Sequence, residues 1–297
     1  MENYHTYYIE VKEGHARVAL KDYLVSQGFA VNLLRKIKHE GKVWVNGQER
    51  PLFDKVKTGD KLVIDFGQET IEPEPENIPL NIIYEDLDLL VVNKDPFLVA
   101  HPVRRYPQGT LANGLAYYYQ EKEIKAKVRF INRLDRNTSG IIMVSKNIYA
   151  HEFLQKQLKE RSFYKAYWAL VEGSLKNQEG IINAPIARVK PIAINRAVID
   201  GGQEAITRYQ VLKKFTNMSL VKLIPVTGRT HQLRVHMAYL GHPIIGDDLY
   251  NPCTNQILNR QALHAREIGF IHPRTKEYII VKAPLSSDIA KLIKEKE

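Results

Sequence analysis

The chain has 297 residues, 44% of them hydrophobic, with a net charge of +10 and one cysteine. This length fits one large domain plus a small one, and a single cysteine excludes an internal disulfide and Cys-based metal clusters. No segment approaches the roughly 20 apolar residues that span a bilayer, so we expect a soluble, unexported, cytoplasmic protein without membrane association. The positive charge predicts a polyanionic partner. Cys253 lies in no nucleophile motif, and we interpret it as a packing or surface residue.

Two short helices are the first predicted elements. Residues 18–27 have apolar side chains at helical spacing and stop at Gly28, which predicts a helix that ends at a glycine. A second helix is predicted from a capping Asn32 to Gly41, and its basic residues face solvent. These basic residues, with the one that follows the helix, are Arg35, Lys36, Lys38 and Lys42. Strands are predicted at 43–47 and 62–66, so residues 1–66 form a predicted small ααβ domain.

Residues 17–66 resemble the small RNA-binding domain first known from ribosomal protein S-four. The resemblance is carried by Leu34-Arg35-Lys36-Ile37 and by Gly41-Lys42-Val43-Trp44-Val45-Asn46-Gly47. It implies that the four basic residues named above bind RNA. The alternative is a solvated basic helix face on an ordinary small domain.

A linker is predicted at residues 67–80. Its centre alternates glutamate and proline from Glu72 to Glu76, and prolines remove backbone donors and restrict the residues before them. Glu/Pro alternation favours an extended, semi-rigid spacer, so we expect the linker to hold the two flanking domains apart.

Short apolar segments after the linker predict the strands of a large domain, residues 81–297. They are residues 89–93, 141–144, 163–171, 220–226 and 278–281. Helices are predicted at 147–161, where Ala150, Leu154 and Leu158 share one face, and at 230–240, before Gly241. The predicted fold class is α+β, with the small ααβ domain followed by a large mixed, mainly antiparallel β-sheet with flanking helices.

A polar loop before the predicted strand at 141–144 places Asp135 between Arg133 and Arg136. A loop on a rigid strand can hold a reactive group still, and the flanking cations favour the ionised carboxylate. The small Ser139-Gly140 pair would let a substrate backbone come close. From these residues alone, a structural ion pair and a catalytic carboxylate are equally good interpretations.

The same loop resembles the signature of the RluA-type pseudouridine synthases, through Arg133-Leu134-Asp135-Arg136 and Thr138-Ser139-Gly140. Further matching segments cover nearly all of residues 82–282. They are Val92-Asn93-Lys94 to His101-Pro102, Lys165-Ala166-Tyr167 to Gly173, the run from Thr227 to His236, and the run from Gly241 to Asp247. Two departures stand out: Asn132 replaces a usual histidine, and Asp95-Pro96-Phe97 replaces the commoner Pro-Ala-Gly.

The resemblance implies an enzyme that isomerises uridine to pseudouridine in RNA without a cofactor. It assigns Asp135 as the catalytic aspartate, Arg229 as its bidentate partner, Tyr167 as the ring that stacks on the base, and Leu233 as an apolar neighbour. Arg133 matches the arginine that fills the gap left by the flipped base. Candidates for phosphate and sugar contacts are Lys94, His101, Arg136, His231 and Arg234.

Two other functions are kept as alternatives. A non-catalytic RNA-binding protein acting in ribosome assembly could use the same basic surface, although intact Asp135, Tyr167 and Arg229 argue against it. A hydrolase would need a metal site or a paired acid and base. No metal site is expected, because His231 and His236 lie five residues apart on one predicted helix and do not share a face. Ribosomal RNA of the large subunit is the favoured partner, transfer RNA is possible, and no obligatory protein partner is evident.

Overall fold

The structure is a computed structural model that describes residues 3–12, 17–67, 69–190, 193–251 and 257–296. Cys253 lies outside these ranges, so the interpretation of its role stays a prediction. Within them, every helix falls short of a membrane span in length or in apolar character.

The described residues before position 67 form a small unit of two helices and short strands. Its sheet has the strand order β1-β6-β3-β4, and β2 pairs with β5. The elements are β1 (Thr6–Glu10), β2 (Val18–Ala19), α1 (Leu20–Ser26), α2 (Val31–Glu40), β3 (Lys42–Val45), β4 (Gln48–Glu49), β5 (Lys55–Val56) and β6 (Lys61–Asp65).

Three details of this unit differ from or match the sequence prediction. The first helix is followed by Gly28 at φ 92°, as predicted. Asn32 is not the cap of the second helix, because the helix begins at Val31 and the capping position is Ala30. Strand β1 was not predicted from its polar sequence. It forms because it pairs antiparallel with β6 along its whole length and buries Tyr7.

The remaining residues build one large sheet with helices on its faces. The elements are β7 (Ile82–Glu85), β8 (Leu89–Lys94), α3 (Leu111–Glu121), β9 (Arg129–Phe130), β10 (Ser139–Ser145), α4 (Ile148–Lys159), β11 (Tyr164–Glu172), β12 (Glu179–Asn183), β13 (Ile186–Arg188), β14 (Arg196–Val198), β15 (Ile206–Lys214), β16 (Met218–Pro225), α5 (Gln232–Tyr239), β17 (Leu263–Ile271), β18 (Tyr278–Lys282) and α6 (Ser287–Glu295). All the predicted strands and helices occur, with small changes at their ends.

The strand order of the large sheet is β12-β15-β16-β11-β17-β10-β8-β7, with β18 on β17 and β9 on β10. Among the described strands of this sheet, β10 and β17 are the one parallel pair, at Ser139 and Gly140. The predicted α+β class and the mixed, mainly antiparallel sheet are therefore confirmed. The hairpin β13–β14 stands apart from the sheet.

Both faces of the central strands are buried, which explains their unbroken apolar runs. In β10, Ile141 and Met143 pack in the same cluster as Ala150 and Leu154 of α4. The alternate residues of β10 pack in the cluster that contains α3; they are Ile142 and Val144. Successive strand side chains point to opposite faces, so a strand covered on both sides loses its polar alternation.

The expectation that the linker holds the two flanking parts apart is wrong. The ring of Tyr149, at the start of α4, lies 4.2 Å from the ring of Phe29 and 4.6 Å from that of Tyr7. Arg274 lies over the ring of Tyr7 at 4.3 Å and pairs with the buried Asp88 at 2.8 Å. The small unit is therefore packed directly on the large sheet. The domain boundaries at 66 and 81 stay predictions.

The segment between the two parts is extended, as predicted, but it is bound along its length. The carbonyl of Glu74 accepts from Asn113 Nδ2 at 2.8 Å, and Glu76 accepts from the N–H of Gly109 at 2.9 Å. Earlier in the same segment, the largely buried carboxylate of Glu69 lies between Lys36 of α2, at 2.9 Å, and Arg129 of β9, at 2.5 Å. Glu69 thus joins the small unit to the strand that leads into the Asp135 loop.

This carboxylate gives a pH-dependent contribution to stability. Burial alone raises the pKa of Glu69, but hydrogen bonds from Arg129 and Lys36 outweigh burial and lower the pKa to about 2. Because the folded pKa lies below the unfolded value, the contribution is present above pH 4.5 and is lost as the pH falls towards 2.

We expect Glu69→Gln to reduce the free energy of unfolding by about 2 kcal/mol at pH 7 and by much less at pH 2. Urea unfolding at both pH values measures the difference. Glu72→Gln is the control, since Glu72 pairs with Lys127 at 3.4 Å on the surface and should change stability by less than about 1 kcal/mol. Equal effects of Glu69→Gln at the two pH values would contradict the prediction.

Candidate active site

A cleft of about 620 Å³ opens between the loop at residues 131–138, strand β11 and the segment at residues 225–234. The four residues predicted to be catalytic, Asp135, Tyr167, Arg229 and Leu233, all line it. Of the residues predicted to contact RNA, Arg133, His231 and Arg234 line it too. The segments far apart in sequence therefore converge on one cavity.

The loop that carries Asp135 joins two neighbouring antiparallel strands, β9 and β10. Inside the loop, the N–H of Thr138 donates to the carbonyl of Asp135 at 3.0 Å, which closes a turn. Asn132 is buried and fixes the loop to β10, since its Nδ2 donates to the carbonyl of Ile141 at 2.9 Å and its Oδ1 accepts from the N–H of Met143 at 2.8 Å. An amide suits this position because it both donates and accepts.

A glycine is required at position 140, but not for the close approach of a substrate that we predicted. Its φ is 107°, and a Cβ placed there would lie 2.3 Å from the carbonyl oxygen of Ala265. The backbone that needs this space belongs to strand β17, not to a substrate. The glycine lets β10 and β17 run side by side directly behind the loop.

The partner of Asp135 is Arg234, not Arg229. Nη1 of Arg234 lies 3.4 Å from Oδ2 of Asp135, while its Nε and Nη2 each lie 2.7 Å from a carboxylate oxygen of Asp247. The prediction that Arg234 contacts RNA phosphate is also contradicted, because its side chain is 5% exposed and its donors are occupied. Arg229 lies at the cleft wall, where its Nε donates to the carbonyl of Glu204 at 2.9 Å.

The reason lies in where the helix begins. The predicted helix started at Thr230, but α5 starts at Gln232 and its capping residue is His231, with φ 58°. Arg229 therefore precedes the helix in a turn, and Arg234 occupies the first helical turn on the buried side. His231 lies between them, with Nε2 3.9 Å from Asp135 and Nδ1 2.9 Å from the hydroxyl of Tyr250. Burial lowers the pKa of His231, so its imidazole is neutral at pH 7.

His236 is fully buried away from His231, at 2.8 Å from the hydroxyl of Thr207 and 3.0 Å from the carbonyl of Ala184. It packs and bonds within the core.

Tyr167 and Lys165 lie on one face of β11, two residues apart, and both line the cleft. The register with β17 shifts between Ala166 and Tyr167, where β17 has the extra residue Arg266. Burial raises the pKa of Tyr167, and the charge of Asp135 raises it further, so the phenol is protonated at neutral pH. Burial lowers the pKa of Lys165. A half-buried ammonium in the cleft suits an electronegative atom of a bound nucleotide.

Lys94, predicted to contact RNA, is buried and its ammonium is bound by backbone carbonyls of the protein. It is 1% exposed, and its Nζ donates to the carbonyls of Asp95 at 2.8 Å, Leu98 at 3.1 Å and Arg136 at 3.0 Å. Burial and the charge of Arg260 lower its pKa to about 7. Lys94 holds the Asp135 loop against the turn at residues 95–98.

The other predicted RNA contacts are at the surface, with one exception. His101, Arg133 and Arg136 are exposed near the cleft, and the ring of His101 lies 4.4 Å from that of Phe130. Arg35, Lys38 and Lys42 are exposed on the small unit. Lys36 is not, because it pairs with Glu69 at 2.9 Å and with Glu40 at 3.5 Å. Of the predicted basic residues, two are therefore accessible on α2, Arg35 and Lys38, and a third, Lys42, is accessible at the start of β3.

Comparison with known proteins decides the family. A family model described as RNA pseudouridylate synthase matches residues 88–239. The chain belongs to the RNA pseudouridine synthase family. This confirms the resemblance to the RluA type and the expected activity: the protein is an isomerase that converts uridine to pseudouridine in RNA.

Similar proteins agree over most of the chain. "Uncharacterized RNA pseudouridine synthase YjbO" of Bacillus subtilis (strain 168) is 41% identical over 280 residues, 93% of this chain and 99% of that one. "Ribosomal large subunit pseudouridine synthase D" of Blochmanniella floridana is 36% identical over 92% of each chain. The human RNA pseudouridylate synthase domain containing 1 has the same fold, with a TM-score of 0.60 at 28% identity over 75% of this chain and 96% of that one.

Sequence reasoning missed several residues that build the synthase site. Asp247, fully buried, orients Arg234. Arg260, also buried, pairs with Asp288 at 2.7 Å and donates to the carbonyl of Asn137 at 3.1 Å. Gln261 donates to the hydroxyl of Thr138 at 3.1 Å. Asp247 could have been found from the sequence, because it ends the segment Gly241 to Asp247 that resembles the family. Arg260 and Gln261 lie in no motif that we identified.

The geometry distinguishes the two arginines experimentally. Arg234→Lys leaves a charge but cannot bind Asp247 twice and reach Asp135, so we expect kcat of the synthase to fall by about a hundredfold, as for a misplaced catalytic group. Arg229→Lys should reduce kcat much less. Steady-state kinetics on one RNA, with circular dichroism to check folding, makes the comparison. A larger loss of kcat for Arg229→Lys than for Arg234→Lys would favour the predicted pairing of Arg229 with Asp135.

Proposed function

We propose that this synthase isomerises specific uridines in large-subunit ribosomal RNA, with Asp135 as the catalytic carboxylate. The observation that supports the site is the position of Asp135 in the cleft, one-third exposed and 3.4 Å from the buried Arg234 guanidinium. The names of relatives that are 36% and 38% identical, both large-subunit ribosomal enzymes, support the substrate. Transfer RNA is the second candidate. A single cysteine and an RNA substrate favour the cytoplasm as its location.

The reaction breaks the bond from C1′ of the ribose to N1 of uracil and forms a bond from C1′ to C5. The proton on C5 leaves and N1 gains one, so no atoms are gained or lost and no cofactor is required. Asp135 would attack or stabilise the sugar while the base is detached. Arg234 orients the carboxylate, because its other donors are fixed by Asp247.

The remaining cleft residues would hold the free uracil and its sugar. The ring of Tyr167 offers a stacking surface, and its protonated hydroxyl can relay the C5 proton by giving up its own proton as it takes up the new one. Leu233 is 6% exposed and lines the cleft, so it offers an apolar wall that limits water near Asp135. Arg229 and Lys165 lie on the same cleft and can meet oxygen atoms of the nucleotide.

A uridine in folded RNA reaches Asp135 only when it leaves its stack, which costs a few kcal/mol. Arg133 is exposed, lies two residues before Asp135 and also lines the cleft. This position supports the proposal that Arg133 fills the gap left by the flipped base. A guanidinium can stack on neighbouring bases and bind their edges at once.

Pseudouridine mapping of total cellular RNA tests the substrate and Asp135 together. Cells with the gene intact, deleted, restored, or restored as Asp135→Asn are compared. We expect specific sites in large-subunit ribosomal RNA to vanish on deletion and to stay absent with Asp135→Asn, whose RNA affinity is unchanged. Asp248→Asn is the matched control, because Asp248 is 74% exposed and also lies 3.4 Å from Arg234.

Either of two results would count against this function. If Asp135→Asn restores the pseudouridines, Asp135 is not the catalytic carboxylate. Loss of no site in any RNA on deletion favours the non-catalytic RNA-binding alternative, whereas loss in transfer RNA alone changes only the substrate.

We further propose that the small N-terminal unit supplies affinity for RNA rather than chemistry. Its deletion would uncover Tyr149, so charge reversal is the cleaner test. Arg35→Glu with Lys38→Glu should raise Kd for RNA and reduce the slope of log Kd against log salt by about one per lost phosphate contact, while kcat stays constant. Lys21→Glu, an exposed lysine on α1, is the control. An unchanged salt slope would contradict the proposal.

A further inference from the structure

Phe97 is held in a backbone conformation that its side chain does not favour. Its φ is 67°, in the left-handed region, and the ring is 48% exposed. A bulky residue at such a φ costs of order 1–3 kcal/mol, and outliers of this kind cluster at functional sites. Because the ring is half exposed, its packing contacts offset little of this conformational cost. The commoner glycine of this motif would adopt the conformation freely.

The turn that carries Phe97 is fixed beside the Asp135 loop. The ammonium of Lys94 binds the carbonyl of Leu98 at 3.1 Å and that of Arg136 at 3.0 Å. The residue after Phe97 and the residue after Asp135 therefore share one buried cation. Phe97 therefore lies on a turn that is bound to the Asp135 loop, and not on a free loop.

A second aromatic group lies in the same neighbourhood. Nη1 of Arg136 donates to the hydroxyl of Tyr106 at 2.8 Å, and its guanidinium lies 5.3 Å from the centre of that ring. The guanidinium of Arg105 lies 5.7 Å from the same ring. A backbone bridge between Val103 and Tyr106 holds the tip of this segment. One tyrosine with two exposed arginines thus forms a compact stack of cations and an aromatic ring.

We propose that Phe97 and the stack of Arg105, Tyr106 and Arg136 form a second nucleotide subsite, which binds an unpaired base next to the target uridine. This inference rests on the proposed function of the cleft around Asp135 as the uridine site. The subsite would make the enzyme prefer uridines whose neighbour is also unstacked.

The chemistry of the group favours RNA bases as its occupant. Unpaired bases in RNA are recognised by stacking on aromatic rings and on arginine planes. The arginines add attraction to the phosphates on either side of the base. The nearby acidic side chains of these segments are Asp95 and Asp135, and Asp135 is already paired with Arg234.

Binding of short RNAs to the full chain tests the subsite without requiring turnover. The probe is a fluorescent RNA of six adenylates around one central uridine, with two matched RNAs that lack the base on the 5′ or the 3′ side of the uridine. Fluorescence anisotropy gives Kd for the wild type, Phe97→Gly, Tyr106→Leu and the control Phe53→Gly. Phe53 is 79% exposed and lies on the small unit.

We expect removal of one neighbouring base to raise the wild-type Kd about tenfold, the scale of one base–aromatic stack. Phe97→Gly and Tyr106→Leu should raise Kd by a similar factor for the complete RNA and cause no further loss with the RNA lacking that base. Phe53→Gly should bind all three RNAs like the wild type. Thermal unfolding should show Phe97→Gly melting above the wild type, because glycine relieves the strain, so weaker binding is not misfolding.

Three results would overturn the proposal: equal affinity of Phe97→Gly and the wild type for every RNA, an equal loss for all three RNAs, or no measurable binding by the wild type. Because the readout is affinity, it is independent of which cellular RNA is modified. A base-dependent loss would stand even if Asp135→Asn restored the pseudouridines.

Discussion

The site depends on one buried guanidinium. Nε and Nη2 of Arg234 are both committed to Asp247, so the plane of the group is fixed by helix α5 and by the segment after it. Nη1 can then point in one direction, and Asp135 lies there at 3.4 Å. Asp247 has no exposure to solvent, and burying it alone would be strongly unfavourable. The same contact therefore satisfies a buried charge and orients the proposed catalytic carboxylate. Arg234 therefore contributes both to stability and to the geometry of the site.

The Asp135 loop is held from behind by groups that donate to its backbone and side chains. Lys94 binds the carbonyl of Arg136, Arg260 binds that of Asn137, and Gln261 binds the hydroxyl of Thr138. Buried carbonyls need partners, and these donors come from two other segments of the chain, strand β8 and the stretch before β17. Cations near the loop thus have two separate tasks. The buried ones organise the backbone, and the exposed ones, such as Arg133, remain available for RNA.

The sequence predicted the strands and the cavity residues well because apolar periodicity and motif position report burial and proximity. It could not predict which arginine meets Asp135. Arg229 and Arg234 have the same charge and lie five residues apart, and a two-residue error in the start of α5 decides which one faces inward. Lys94 was assigned to RNA for a similar reason, since its burial depends on a turn 95–98 whose carbonyls converge on one point. Strand β1 was missed because its pairing with β6 joins residues far apart in sequence.

Direct packing of the two parts changes how RNA recognition must work. Glu69 links Lys36 of α2 to Arg129 of β9, and β9 leads into the Asp135 loop. The aromatic contact of Phe29 with Tyr149 adds a second, apolar connection. The distance from the exposed cations of α2 to Asp135 is therefore set by the fold and not by a flexible tether. Under the proposed role of the small unit in RNA binding, an RNA that contacts both parts would have to match one fixed spacing. A tethered domain would raise the local RNA concentration but could not impose that spacing.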